Sequence, residues 1–310
     1  MCGQKNRLNR REMLGAVGAV AAATAAGPVG ASERTAAVPV ASRRERRRME
    51  LGLVTWSIAR DWDLPTLIKR SEELDLAAVE LRTTHAHGVE IALSQAQRAE
   101  VRKRFADTPV VLWGLGTTCE FHDPDPAVVR KNIDEARQFA QLAHDVGAKG
   151  IKVRPNQLAR DADASETQRT LERIGKALRE VDDTAAPLGV EVWVEMHGRG
   201  TAHPPHMRTM MDVADRPNVG AVWNCNVGYD LKDGSVRPYF ELMRDKILSV
   251  HINKLVGDYP YRELFALLNA SGYDRYTLAE IGAMNACDDA DTVRFLRYYR
   301  ALWDTWSKPV

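Results

Sequence analysis

The sequence predicts an α/β protein, a single (β/α)8 barrel behind a signal peptide and a basic linker. Three observations lead there. From Met49 onward, short β-rich runs alternate with amphipathic helical runs eight times, in roughly the 250 residues typical of such a barrel. The first strand is not followed by the glycine-rich loop of a doubly wound dinucleotide fold. Almost every strand-like run ends in a charged or ligand-type side chain, as expected if the C-terminal strand ends surround one active site.

The first 48 residues follow another pattern. Asn9-Arg10-Arg11-Glu12-Met13-Leu14 precedes a run of small apolar residues over 15–26, with Ala-x-Ala-like cleavage positions near Ala26 and Ala31. Residues 1–31 therefore resemble a twin-arginine-type signal peptide, an address read by export machinery, which implies an exported, periplasmic protein. The run is too short for a membrane span, which needs about 20 predominantly apolar residues. Residues 32–48 are a polar linker ending in Arg43-Arg44-Glu45-Arg46-Arg47-Arg48, read as a solvated charge run.

Residues 49–310 form the barrel domain. They carry 33 basic and 39 acidic residues, a net charge of −6, which is a poor footprint for nucleic acid. With 45% hydrophobic and 27% charged residues, the chain can bury one large core. Cys2, Cys119, Cys225 and Cys287 include no close pair, hence neither a disulfide framework nor a zinc ribbon. An oxidising destination leaves a Cys119–Cys287 bridge open.

The elements follow in order. Residues 51–56 form the first strand. Leu64, Leu67, Ile68 and Leu74 lie on one face of a helix over 64–74, capped by Asp63 with Pro65 in its first turn. Strand 77–82, helix 94–105 and strand 109–115 come next, then a helix over 126–146 that Gly147 closes. Strands at 150–154, 190–197, 219–223, 247–252 and 276–280 alternate with helices at 165–186, 206–213, 238–244, 261–270 and 289–307.

On the fifth of these strands Glu195 and His197 are two residues apart and should share one face. Burying both at the mouth of an apolar strand is costly without a function. Asn224, His251 and Glu280 end the next three strands at separations of 29, 27 and 29 residues, about one strand-helix unit, so the groups can converge. Two carboxylates, an imidazole and an amide suit a divalent ion such as manganese, zinc, cobalt or magnesium. Alone, Glu280 reads as a salt-bridged strand end and His251 as a satisfied core histidine; their joint spacing points to a metal. Trp56, Arg82, His85, His87, Lys152, Arg154 and Lys254 reach the same rim as candidate substrate contacts. Lys152, Arg154 and Lys254 favour an anionic group, a carboxylate or phosphate.

With Val194-Glu195-Met196-His197, Val222-Trp223-Asn224-Cys225-Asn226, Ser249-Val250-His251-Ile252-Asn253-Lys254 and Leu278-Ala279-Glu280-Ile281 in this order, residues 50–306 resemble the xylose isomerase-like TIM-barrel superfamily of sugar phosphate isomerases and epimerases. The resemblance implies a divalent metal on Glu195, Asn224, His251 and Glu280. It also implies proton transfer by Glu195 and Glu280, beside which His197 binds a substrate oxygen or shuttles a proton. The superfamily has aspartate where this chain has Asn224. An amide oxygen can ligate, but without the charge, so weaker metal binding is expected.

The expected function is isomerisation or epimerisation of a sugar or sugar acid by enediolate proton transfer between two glutamates. An exported location favours a sugar acid or plain sugar over a sugar phosphate. Homo-oligomerisation stays open. A lyase, dehydratase or hydrolase on the same barrel is one competing expectation, and an exported carbohydrate-binding barrel without catalysis is another. The acidic domain disfavours a DNA-repair endonuclease.

Overall fold

The computed structural model describes residues 49–282 and 288–308. The predicted signal peptide and linker lie outside the described residues, as does Cys287; Cys119 is a buried free thiol. Eight parallel strands close into a barrel in chain order: β1 (Glu50–Ser57), β2 (Ala78–Arg82), β3 (Val111–Glu120), β4 (Gly150–Arg154), β5 (Glu191–Glu195), β6 (Val219–Trp223), β7 (Ile247–Ile252) and β8 (Tyr276–Ile281). A helix follows each strand: α1 (Leu64–Glu73), α2 (Gln95–Ala106), α3 (Pro126–Val146), α4 (Ala164–Ala185), α5 (Pro204–Ala214), α6 (Arg237–Met243), α7 (Tyr261–Ser271) and α8 (Asp289–Trp306). The predicted (β/α)8 architecture is therefore the observed one.

Local chemistry sets the element ends. Asp63 accepts the Thr66 backbone N–H at 2.9 Å and starts α1. Gly147, at φ 84°, ends α3 in the left-handed region where glycine is unstrained. Two strands differ from expectation. β3 continues through the β-branched Thr117 and Thr118 to pair Glu120 with Arg154, which carries Glu120 up to the rim. β5 stops at Glu195, because the chain turns through Gly198 (φ 88°) and Gly200 (φ 75°). His197 therefore lies beyond the strand rather than on its inward face.

The parity of β5 positions the site. Val192 and Val194 pack in the core between barrel and helices, whereas Trp193 packs inside the barrel with Val54, Ala78, Trp113, Val222 and Leu278. Period-two alternation then turns Glu191, Trp193 and Glu195 toward the axis. Trp193 stacks on Trp113 with ring centroids 5.0 Å apart and blocks the interior below Glu195. A Cβ on Gly114 or Gly150 would lie 2.4 or 2.5 Å from the Trp193 ring, so glycine at both positions makes room for it. The same alternation aims Glu80, Lys152, Asn224, His251 and Glu280 at the space above.

Candidate metal and catalytic centre

Glu195, Asn224, His251 and Glu280 at strand ends and Glu80 and Lys152 in mid-strand meet over Trp193. Lys152 Nζ donates to Glu195 Oε2 at 2.6 Å, and Asn224 Nδ2 donates to Glu195 Oε1 at 2.9 Å, so both carboxylate oxygens are engaged. His251 Nε2 lies 3.0 Å from Glu80 Oε2; a carboxylate only accepts, so the ring nitrogen donates. His251 Nδ1 then faces Glu280 Oε2 at 3.5 Å. Glu195 and His251 are both buried. Burial opposes ionisation of Glu195, but Lys152, then His251 and His197, more than offset it and hold its carboxyl well below the usual range. Burial likewise opposes the imidazolium of His251, and Glu80 and Glu280 override it and raise its pKa.

The donors fit a divalent ion. One ligand atom from each of Glu195, His251 and Glu280 lies within 4.8 Å of the others. Asn224 Oδ1 and His251 Nδ1 are buried and have no hydrogen-bond partner. Such unpartnered buried polar atoms each cost about 1–3 kcal/mol unless something occupies the space between them. The Glu80 bond keeps a proton on Nε2, so the proton that a dication would displace is the one on Nδ1, which is then free to ligate in a carboxylate-histidine-metal relay.

Glu80 was not among the residues the sequence singled out. It lies between Val79 and Leu81, whose burial in the outer core gives the parity that sends Glu80 inward together with Arg82. A Cβ on Gly116 would come within 2.9 Å of Glu80 Oε1, so glycine on β3 also makes room for this carboxylate.

The predicted substrate contacts divide. Lys152 is a buried partner of Glu195 rather than a rim cation, and Arg154 Nη2 donates to Glu120 Oε1 at 2.5 Å. Asn156 Nδ2 donates to the other Glu120 oxygen at 2.6 Å. Two of the three cations expected to attract an anion are thus neutralised by this chain's own carboxylates, while Lys254 is exposed beyond β7. His87 has no free nitrogen: Val89 N donates to Nδ1 at 3.0 Å, and Nε2 donates to the Arg82 carbonyl at 2.8 Å. His85 is open to a ligand. Its Nδ1 is 2.9 Å from Thr55 Oγ1, which also accepts from Arg82 N. Burial, then His87 and Arg82, push its pKa down to about 4, so the ring is neutral near pH 7. Trp56 is 46% exposed beside it, stacked on His85 at 6.4 Å and with the Arg82 guanidinium 5.9 Å from its ring. His197 keeps a buried, unpartnered Nδ1 just past Glu195.

Against known proteins, residues 68–299 match the family described as xylose isomerase-like TIM barrel. No curated protein matches the chain. Among solved structures, the IOLI protein with a binding zinc atom is similar over 84% of this chain and 99% of its own, with TM-score 0.66 at 16% identity. D-psicose 3-epimerase with D-tagatose, from Clostridium cellulolyticum H10, is similar over 84% and 100%, with TM-score 0.68 at 15% identity. The probable 3-DHS dehydratase AsbF of Bacillus anthracis, involved in petrobactin synthesis, is similar over 83% and 99%, with TM-score 0.64 at 16% identity. At these identities the likeness is one of fold.

Proposed function

The chain belongs to the xylose isomerase-like TIM-barrel family, and from that premise we propose that it is an exported, divalent-metal-dependent isomerase or epimerase of a sugar or sugar acid. One observation carries the reading: ligand atoms of Glu195, His251 and Glu280 lie close enough to share an ion, and Asn224 Oδ1 and His251 Nδ1 beside them are buried without a hydrogen-bond partner. Glu195, Asn224 through Oδ1, His251 through Nδ1 and Glu280 would hold the ion. Bound there, it supplies Lewis-acid polarisation of a substrate carbonyl, which makes the adjacent C–H acidic.

The chain's own groups do the rest. Glu280 takes the proton from the carbon beside the carbonyl, and Glu195 serves the opposite face. Return of a proton to the same carbon inverts it, and return to the neighbouring carbon moves the carbonyl. The two are unequal: Lys152 and Asn224 hold both oxygens of Glu195, whereas Glu280 has only the 3.5 Å contact with His251 among its described ion pairs and hydrogen bonds. Trp56 offers a sugar ring its apolar face, and the rings of His85 and His197 meet hydroxyls. Because Lys152 and Arg154 are internally paired, an uncharged sugar or a monocarboxylate suits the mouth better than a phosphate. The twin-arginine motif at residues 9–14 is the basis for export in this reading.

The test is turnover of a panel of sugars and sugar acids in deuterated water. Deuterium at the inverted or reduced carbon is expected. Glu280→Gln should abolish it, by at least about 10³-fold, within or beyond the range for loss of a general base. A second reading, dehydration or lyase chemistry by the same two glutamates, has the fold likeness to a probable dehydratase in its favour. Loss of water or cleavage of the substrate would replace the isomerase reading with that one.

A further inference from the structure

We propose that Lys152 is the resident counter-cation of this centre. Its ammonium neutralises Glu195 in the metal-free protein and competes with a divalent ion for that carboxylate, which sets how tightly the metal is held. The inference rests on the reading that Glu195, Asn224, His251 and Glu280 bind the ion.

The side chains of Lys152 and Glu195 are each 4% exposed and lie 2.6 Å apart. A lysine buried this deeply needs an anion, and Glu195 is the one it touches. Asn224 Nδ2 holds the other oxygen at 2.9 Å, so Glu195 can ligate a metal only by loosening one of these bonds. The amide is neutral, and its Oδ1 has no partner. The ammonium carries a full charge, and its repulsion of a dication a few ångströms away is weakly screened where water is excluded. Metal binding therefore acts first on the Lys152–Glu195 bond. The charge balance fits as well. Glu80, Glu195 and Glu280 are matched by Lys152 and one dication with no contribution from residue 224, the position at which this chain has an amide. Asn224 and Lys152 are two halves of one adjustment toward weak, exchangeable metal binding.

The experiment is calorimetric titration of Mn2+ and Zn2+ into chelator-treated wild type and Lys152→Met. The variant should bind at least about tenfold more tightly, or about 1.4 kcal/mol. Its metal-free thermal midpoint should fall below that of wild type and recover on adding Mn2+. Because Lys152→Met leaves Glu195 unpaired and can fail to fold, a second measurement uses wild type alone. In lysine-15N-labelled protein, the protected ammonium resonance of Lys152 should shift in step with Zn2+ binding. Equal or weaker affinity in Lys152→Met overturns the proposal and leaves the metal reading standing, as does an unmoved ammonium resonance in Zn2+-bound protein. If neither protein binds either ion, the metal reading itself fails.

Discussion

β5 carries two buried glutamates four residues apart, and their surroundings differ in kind. Glu191, at the lower end of the barrel, accepts from Arg275 Nη1 at 2.6 Å and Nη2 at 3.1 Å, and from Trp193 Nε1 at 2.8 Å. Lys149 Nζ adds an ion pair at 3.2 Å. Burial disfavours its charge, yet Arg275 and Trp193 outweigh burial and lower its pKa. None of these partners leaves a buried polar atom unmatched among the described residues. Glu195, at the upper end, is also paired with a cation, but Asn224 Oδ1, His251 Nδ1, Glu80 Oε1 and His197 Nδ1 around it are all buried and unpartnered. A buried ion pair is thus compatible with either role. What separates the two glutamates is the cluster of four unpartnered buried atoms around Glu195, against none around Glu191 among the described residues.

The sharpest way to break this comparison is to remove the cation at the closed end. Arg275→Met leaves Glu191 buried without its bidentate partner and should cost about 3–5 kcal/mol of stability. Turnover per folded molecule should be unchanged. Urea denaturation and an active-site-normalised rate test the two halves, and a lower rate in the folded fraction would mean that the two ends are not separable. At the open end, Glu80→Gln keeps the shape but can present its amide N–H to His251, which disturbs the ring's tautomer and orientation. Metal affinity should weaken by about 10–100-fold, the usual effect of losing such a partner. Calorimetry that found no change would show that Glu80 does not hold His251 for ligation.

The sequence made one end of this comparison legible and hid most of the other. The barrel could be read because strand and helix periods alternate eight times, and Glu195, Asn224, His251 and Glu280 because each closes a strand one unit after the last. Spacing along the chain does not reveal partners across the barrel. Lys152 and Arg154 read as free cations, yet each is spent on a carboxylate 43 or 34 residues away. His87 reads as a ligand until the turn at residues 82–89 uses both its nitrogens. Glu80, mid-strand and flanked by apolar residues, was recoverable from parity alone. Strand ends also mattered: two turn glycines after His197 take it out of β5, which no alternation pattern anticipates.

Asp230 extends the comparison to a buried carboxylate without a cation. Its Oδ2 accepts from Tyr259 OH at 2.7 Å and Asn226 N at 3.0 Å, while Oδ1 is unpartnered. Burial outweighs those bonds and pushes its pKa up to about 6, the opposite direction from Glu191 and Glu195. The folded protein therefore keeps a proton that the unfolded chain, near 3.8, has already released. The sign follows: this contribution favours folding below about pH 4 and is lost as pH rises through 6, by about 3 kcal/mol in all. Asp230→Asn keeps an acceptor for Tyr259 and Asn226 but cannot ionise. Relative to wild type it should gain about 2 kcal/mol between pH 4 and pH 7, whatever its absolute stability. Paired urea titrations at the two pH values measure that difference. A variant that tracks wild type at both would mean that Asp230 is charged at little cost, and that a buried carboxylate in this barrel does not need the cation that Glu191 and Glu195 each have.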